Sequence, residues 1–169
     1  MSDIWAIIPV KEFDGAKHRL SGLLSPPQRR LLAENMLTDV IEAVTGCQLL
    51  AGVLIVTLDP HATTLGKKIG ARIVTEGARD GHTGSVNAGR RVLAGEGRRG
   101  IITMPGDIPA TRADEIDAVL SAHLAAPSFT ISPAHGPTDA HRCLPFSVMD
   151  CSSLDVSASA LPRAAAPVR

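Results

Sequence analysis

The sequence predicts an α/β fold: a mostly parallel sheet with helices on both faces, of the kind that places a ligand beyond the strand ends. Three observations predict it. Short apolar runs, IWAIIPV at Ile4–Val10, AGVLIVT at Ala51–Thr57 and GIITM at Gly100–Met104, alternate with segments of helical apolar period. Only 2% of residues are aromatic and none is Tyr, so Val, Ile, Leu and Ala must build the core, as suits parallel strands covered by helices. The 169 residues, 44% hydrophobic and 20% charged, are enough for one domain with a real core.

Ile4–Val10 reads as the first buried strand. The next helix runs from Pro26 to about Thr45, with Ser25 as N-cap, Pro26 at the first position and Gln28 completing a capping box. Leu32, Met36 and Val40 recur four apart beside Leu37, Ile41 and Val44, which makes one apolar stripe, and Gly46 suits its end. Ala51–Thr57 is the second strand, and a short helix from about Ala62 to Ile69 follows it. Ala71–Thr75 is a third, shorter strand. Gly81-His82-Thr83-Gly84-Ser85-Val86-Asn87 reads as a small polar loop entering a helix that ends near Gly95. Gly100–Met104 is the fourth strand, halted by Pro105-Gly106-Asp107-Ile108-Pro109. Thr111 is expected to cap the helix bearing Ile116, Val119, Leu120 and Leu124, with Asp114 three residues on. Ser128–Ser132 is the fifth strand. From about Gly136 the periodicity is lost, so the expected organisation is an α/β domain over 1–135 and an irregular tail over 136–169.

Several function classes are excluded by what is missing. Seventeen basic residues balance seventeen acidic ones, so no basic field argues for nucleic acid or an anionic membrane, and stacking aromatics are nearly absent. Cys47, Cys143 and Cys151 show no CxxC spacing, which leaves reduced thiols that fit the cytoplasm. No signal-type or membrane-spanning run is present. HExxH, GxSxG, Walker A and a GxGxxG after the first strand are all absent. Oligomeric state stays open, a homo-oligomer being compatible with the sequence.

The residues with chemistry lie after strands. Lys11 follows the first strand directly, and Lys17 and Arg19 share the same connection. A flexible Lys supplies a point charge and an Arg a planar fork, so the three together point to a polyphosphate, most simply a nucleoside triphosphate. A solvated basic loop is the plainer alternative. Asp107, past the fourth strand, could hold Mg²⁺ on substrate phosphates, or could be a turn residue bonding its own backbone. Around Gly81 to Asn87, small residues allow close backbone approach, and Thr83 and Ser85 can donate hydrogen bonds; a helix start with Thr83 as N-cap explains them equally well. Asp59 could touch a base or sugar, or simply form an Asp-Pro turn.

The run IPVKEFDGAKHRLSGLLSPPQRRLLAENMLTDVIEAV resembles the amino-terminal signature of the guanylyltransferases of coenzyme F420 biosynthesis, which use 2-phospho-L-lactate, phosphoenolpyruvate or 3-phosphoglycerate. GHTGSVNAG and TMPGDIPATRADEID resemble that family's middle motifs, and the likeness covers about residues 4 to 135. It implies a nucleotide-diphospho-sugar-transferase-like fold and transfer of GMP from GTP to a small phosphorylated acid, with release of pyrophosphate. By position, Lys11, Lys17 and Arg19 would be the catalytic phosphate-holding set, and Asp107 would be the Mg²⁺ ligand. Pro9, Asp59, Gly81, Thr83, Gly84, Ser85 and Asn87 would complete the nucleotide site. After FTISPAH the resemblance implies a Gly-Thr/Ser-Asn acceptor loop and a later acidic metal contact, but Gly136-Pro137-Thr138-Asp139-Ala140-His141 stands there instead. Part of the acceptor and metal sites is therefore expected to be missing, with Asp139, Asp150 and Asp155 the carboxylates left to replace it. An inactive nucleotide-binding remnant is the alternative to an active enzyme. Nucleotidyltransferases of molybdenum-cofactor or sugar-phosphate type open with LAGGxSxRxG, which IPVKEFDGAKHRL matches poorly.

Overall fold

The computed structural model describes residues 3–123, 129–132 and 146–150. Its elements are β1 (Ile4–Pro9), α1 (Pro26–Gly46), β2 (Gly52–Val56), α2 (Pro60–Lys68), β3 (Arg72–Val74), α3 (Gly81–Gly95), β4 (Gly100–Thr103), α4 (Ala113–Ala122), β5 (Phe129–Ser132) and β6 (Phe146–Asp150). The six strands form one sheet in the order β3-β2-β1-β4-β6-β5. β1 pairs in parallel with β2 and β4, and β2 with β3, while β6 runs antiparallel to both its neighbours.

Strand alternation sorts the apolar side chains onto two faces. Ala6, Ile8, Ile55, Ile102 and Val148 join Leu37, Val40, Ile41, Ile116 and Leu120 on the face covered by α1, α2 and α4. Ile7, Leu54, Val56 and Ile101 form the other face with Leu93 of α3. α3 lies close because Gly89 has no side chain there: a Cβ would sit 3.1 Å from both Ile7 and Leu54.

Local signals hold with informative shifts. The Ser25 N–H donates to Gln28 Oε1 at 2.8 Å, as the capping box requires. The buried stripe of α1 is Ala33, Leu37, Val40, Ile41 and Val44, so Leu32 and Met36 are only half-buried, at its margin. α2 begins two residues earlier than expected, because Asp59 caps it and Pro60 occupies its first position. Thr111 is not the cap of α4. Arg112 is, with its N–H donating to Glu115 at 3.1 Å, while Asp114 pairs with the Arg112 guanidinium at 2.9 Å.

The largest departure is β6. An irregular stretch was expected past Gly136, yet Phe146–Asp150 forms a strand inserted between β4 and β5. Its register sets Ser147 opposite Thr103 and Asp150 opposite Gly100. Asp150 thus lies at the amino end of β4, the opposite end from Asp107, and cannot be the replacement carboxylate. Asp139 and Asp155 lie outside the described residues, as do Cys143 and Cys151.

Candidate active site

β1 and β4 are adjacent and parallel, so the loops that leave them emerge at the same edge of the sheet. β2 flanks β1 on the other side, so the order of strand addition reverses between β1 and β4. Open α/β sheets form a crevice at such a reversal. Here it is a cleft of about 560 Å³, walled by Pro9 to Lys17 after β1 and by Pro105, Gly106 and Asp107 after β4.

Lys17 and Asp107, ninety residues apart in sequence, meet in this cleft with Nζ 2.6 Å from Oδ2. Lys17 is the one non-glycine residue with positive φ among those described, at φ 53° and ψ 36°. A left-handed lysine is costly, and such geometry persists where the surroundings hold it. Lys11 lines the cleft with an exposed side chain and no ion-pair partner among the described residues. Pro9 ends β1 at the cleft floor. Arg19 does not join them. It sits on a 3₁₀ turn (His18–Leu20), is exposed, and lines no part of the cleft. Two of the three expected cations therefore converge.

Asp59 has a different task from the base or sugar contact its position suggested. It is 3% exposed and gives its carboxylate to the backbone N–H groups of His61 at 2.8 Å, Ala62 at 3.0 Å and Phe13 at 2.9 Å. The last bond ties the cationic loop to α2 across 46 residues. Phe13 itself is buried, its ring edge-on to His61 with centroids 6.2 Å apart. In the same loop Asp14 pairs with Arg30 at 2.9 Å, and Arg30 with Glu34 at 2.9 Å. The Glu34 hydrogen bond chiefly, with Asp14 beside it, raises the Arg30 pKa further.

Gly81 to Asn87 is not a loop but the first two turns of α3. Thr83 therefore caps nothing; Asp80 holds the cap position. Ser85 is buried, its hydroxyl 2.9 Å from the Gly77 carbonyl and 2.8 Å from that of Gly81, so it locks the turn and does not face the cleft. Gly84 packs on Asp80, where a Cβ would fall 2.3 Å from the Asp80 Cβ. Thr83, Gly84 and Asn87 line neither the cleft nor the smaller depression beside it. Gly81 lines that depression, and His82 lines the cleft itself. His82 was missed by a reading that weighed hydroxyls and glycines; its place at an exposed helix start was the available signal. The amino end of α3 thus reaches the cleft rim, and its partial positive charge adds to that of Lys11 and Lys17 in favouring an anion.

For a cation, the described residues contain no group of three His, Cys, Asp or Glu side chains that could together hold one. Three carboxylates line the cleft, Glu12, Asp14 and Asp107, and Asp107 is the one that faces Lys17. The Asp107 side chain is 57% exposed at the cleft and offers hard oxygen donors. Mg²⁺ commonly takes one or two carboxylates, substrate phosphates and waters, so Asp107 fits that ion as a partial ligand set.

Residues 4–150 match the family described as guanylyl transferase CofC like. The chain belongs to this family. The match extends through β6, beyond the motifs legible in the sequence. Among CofC-like relatives, a phosphoenolpyruvate guanylyltransferase of Salinispora arenicola is 35% identical over 129 residues, 76% of this chain and 59% of the relative. A 3-phospho-D-glycerate guanylyltransferase of Phenylobacterium zucineum is 34% identical over 120 residues, 68% of this chain and 54% of the relative. The chain therefore spans somewhat over half the length of these relatives. A solved structure from Desulfovibrio desulfuricans G20, assigned to the nucleotide-diphospho-sugar transferases, superimposes with a TM-score of 0.70 at 15% identity, over 91% of this chain and 66% of that one. A Leptospira borgpetersenii cytidylyltransferase does so with a TM-score of 0.58 at 14% identity, over 90% of this chain and 62% of that one. At these identities the likeness speaks for the fold, the one expected from sequence.

Proposed function

We propose that this chain binds GTP in the cleft and transfers GMP to a small phosphorylated acid (phosphoenolpyruvate, 3-phosphoglycerate or 2-phospholactate), releasing pyrophosphate, as a step of coenzyme F420 biosynthesis. The observation that carries the proposal is the meeting of Lys17 and Asp107 at 2.6 Å between the loops after β1 and β4. It joins a phosphate-binding charge to a metal-binding charge at the switch point of a fold shared with nucleotidyltransferases. The names of the relatives support guanylyl transfer, and their phosphorylated acids support the acceptor class.

An acceptor phosphate oxygen attacks the α-phosphorus of GTP in line. The new P–O bond forms as the bond to the bridging α–β oxygen breaks, and the electron pair leaves on pyrophosphate. The nucleophile is already anionic, so the protein needs no general base; it positions the groups and offsets charge. Lys11 and Lys17 hold the phosphates, and the amino end of α3 with His82 borders them. Asp107 would hold Mg²⁺, which when bound neutralises phosphate charge that the two lysines leave uncovered.

The test is pyrophosphate release from purified protein with GTP, Mg²⁺ and each acceptor in turn. Turnover with one acceptor is the expected result, and Asp107→Ala should lower it by at least about a hundredfold. Full activity in that variant removes Asp107 from the site, and failure to bind GTP at all overturns the proposal. The departure at Gly136-Pro137-Thr138-Asp139-Ala140-His141 from the implied Gly-Thr/Ser-Asn acceptor loop favours one second reading, nucleotide binding without turnover. GTP binding without pyrophosphate from any acceptor would select it.

A further inference from the structure

Beside the cleft lies a second depression of about 300 Å³, over the carboxyl ends of β1, β2 and β3. Val10, Lys11, Glu12 and Asp14 form a wall common to both cavities. The two are thus halves of one trough, with Lys11 at the divide. A triphosphate held by Lys11 and Lys17 leaves the remainder of its nucleotide to lie in this side pocket.

The side pocket has the composition that a base requires. Val10, Leu58 and Ala78 supply apolar walls. A carboxylate and a guanidinium stand together at its edge: Arg79 Nη2 lies 3.5 Å from Glu12 Oε1, and both side chains are at least half exposed. A pair this exposed adds little stability, so its place at the pocket invites another explanation. Asp14, the other carboxylate there, is already taken by Arg30.

We infer that Glu12 and Arg79 select guanine over adenine. The inference rests on the GTP reading above. Guanine carries acceptors at N7 and O6 next to donors at N1 and N2. Arg79 can donate to O6 and N7, and Glu12 can accept from N1–H and the 2-amino group. The two edges adjoin in the base as the two side chains adjoin in the protein. Adenine reverses both contacts, with an amino group facing the guanidinium and a bare N1 facing the carboxylate. Rejection comes from the unpaired groups as much as preference comes from the pairs.

The test is calorimetric titration of the whole chain with GTP, ITP and ATP. Ratios between nucleotides cancel the triphosphate contribution, so a general loss of charge does not register. The chain should bind GTP at least about tenfold more tightly than ATP, and Glu12→Gln and Arg79→Gln should each reduce that ratio by about tenfold. ITP lacks only the 2-amino group. Glu12→Gln should therefore bring GTP and ITP close to parity, while Arg79→Gln should preserve the difference between them. Both residues are exposed, and an unchanged far-UV spectrum would verify that each variant folds. A GTP-to-ATP ratio unmoved by either substitution overturns this assignment and leaves the GTP reading standing, and equal binding of GTP and ATP by the unaltered chain likewise overturns it. Binding of no nucleotide at all overturns the GTP reading and this one with it.

Discussion

Lys17 combines a backbone held at φ 53° with a side chain 2.6 Å from Asp107. Left-handed geometry costs a residue with a Cβ roughly 1–2 kcal/mol, and glycine escapes that cost. Lys17→Ala and Lys17→Gly both delete the ion pair, so their difference isolates the backbone. The glycine variant should be more stable than the alanine variant by about 1 kcal/mol in urea unfolding, although both lose triphosphate binding. Equal stabilities would show that residue 17 is not held in this conformation. Cys47 offers a separate residue-scale test. Its Sγ lies 2.6 Å from Asp117 Oδ1, and burial first, then that hydrogen bond, push the thiol up to about 11. At pH 8.5 a peptide carrying Cys47 should alkylate well over tenfold more slowly in the native chain than in urea, as followed by mass spectrometry. The folded thiol holds its proton longer than the unfolded one. The pair's stability contribution is therefore complete below about pH 8.5 and is lost as pH rises toward 11. For single residues the sequence showed which charges follow the strands but not where they point. Lys11, Lys17 and Asp107 were legible because each follows an apolar strand. Arg19 was misplaced because a 3₁₀ turn rotates each residue by about 120°, which carries it away from its neighbours.

Among the elements, the junction of α2 with the cationic loop matters most for the site. Asp59 caps α2 and accepts the Phe13 N–H through its second oxygen. Asp59→Asn keeps one acceptor for the cap but can present an amide N–H₂ to Phe13. Hydrogen exchange at the Phe13 amide should then accelerate by about tenfold, and unfolding should become easier by roughly 1–3 kcal/mol. Unchanged exchange at Phe13 would mean that the loop is held by other contacts. The Asp-Pro step could be read as a cap followed by a proline at the first helical position, and that signal was present at residues 59 and 60. What no local pattern could show is the bond to residue 13, because tertiary partners leave no periodicity. The start of α3 failed for the opposite reason. GHTGS has the composition of a loop, and it is helical because Ser85 binds the Gly77 and Gly81 carbonyls.

At the scale of the whole molecule, the sheet depends on a strand that the sequence concealed. FSVMD is short, and the sequence ahead of it has no helical apolar period to mark a crossover, so neither length nor pattern announced β6. β1, β2 and β4 were legible because each carries its own buried run, such as Ala6–Ile8 or Leu54–Val56. β6 places Val148, fully buried, against the face shared with α1 and α4. Val148→Asp should abolish cooperative unfolding or lower the urea midpoint sharply, since an unpaired carboxylate would enter an apolar core. A chain ending at residue 145 should behave similarly, with soluble yield as the measurement. A monodisperse, cooperatively unfolding product from that truncation would show that β6 is dispensable.

The position of β6 also orders events in time. β4 is complete when residue 103 leaves the ribosome, but its second edge waits for residues 146–150. β5 is made in the interval and has no partner other than β6 among the described strands. During synthesis the nascent chain therefore carries an unsheltered edge at β4 over the more than forty residues between 103 and 146, and β5 stands as an orphan strand over the last thirteen of them, between 132 and 146. A lesion late in the gene thus reaches back to the strand that presents Asp107, and it would show first as aggregation during translation.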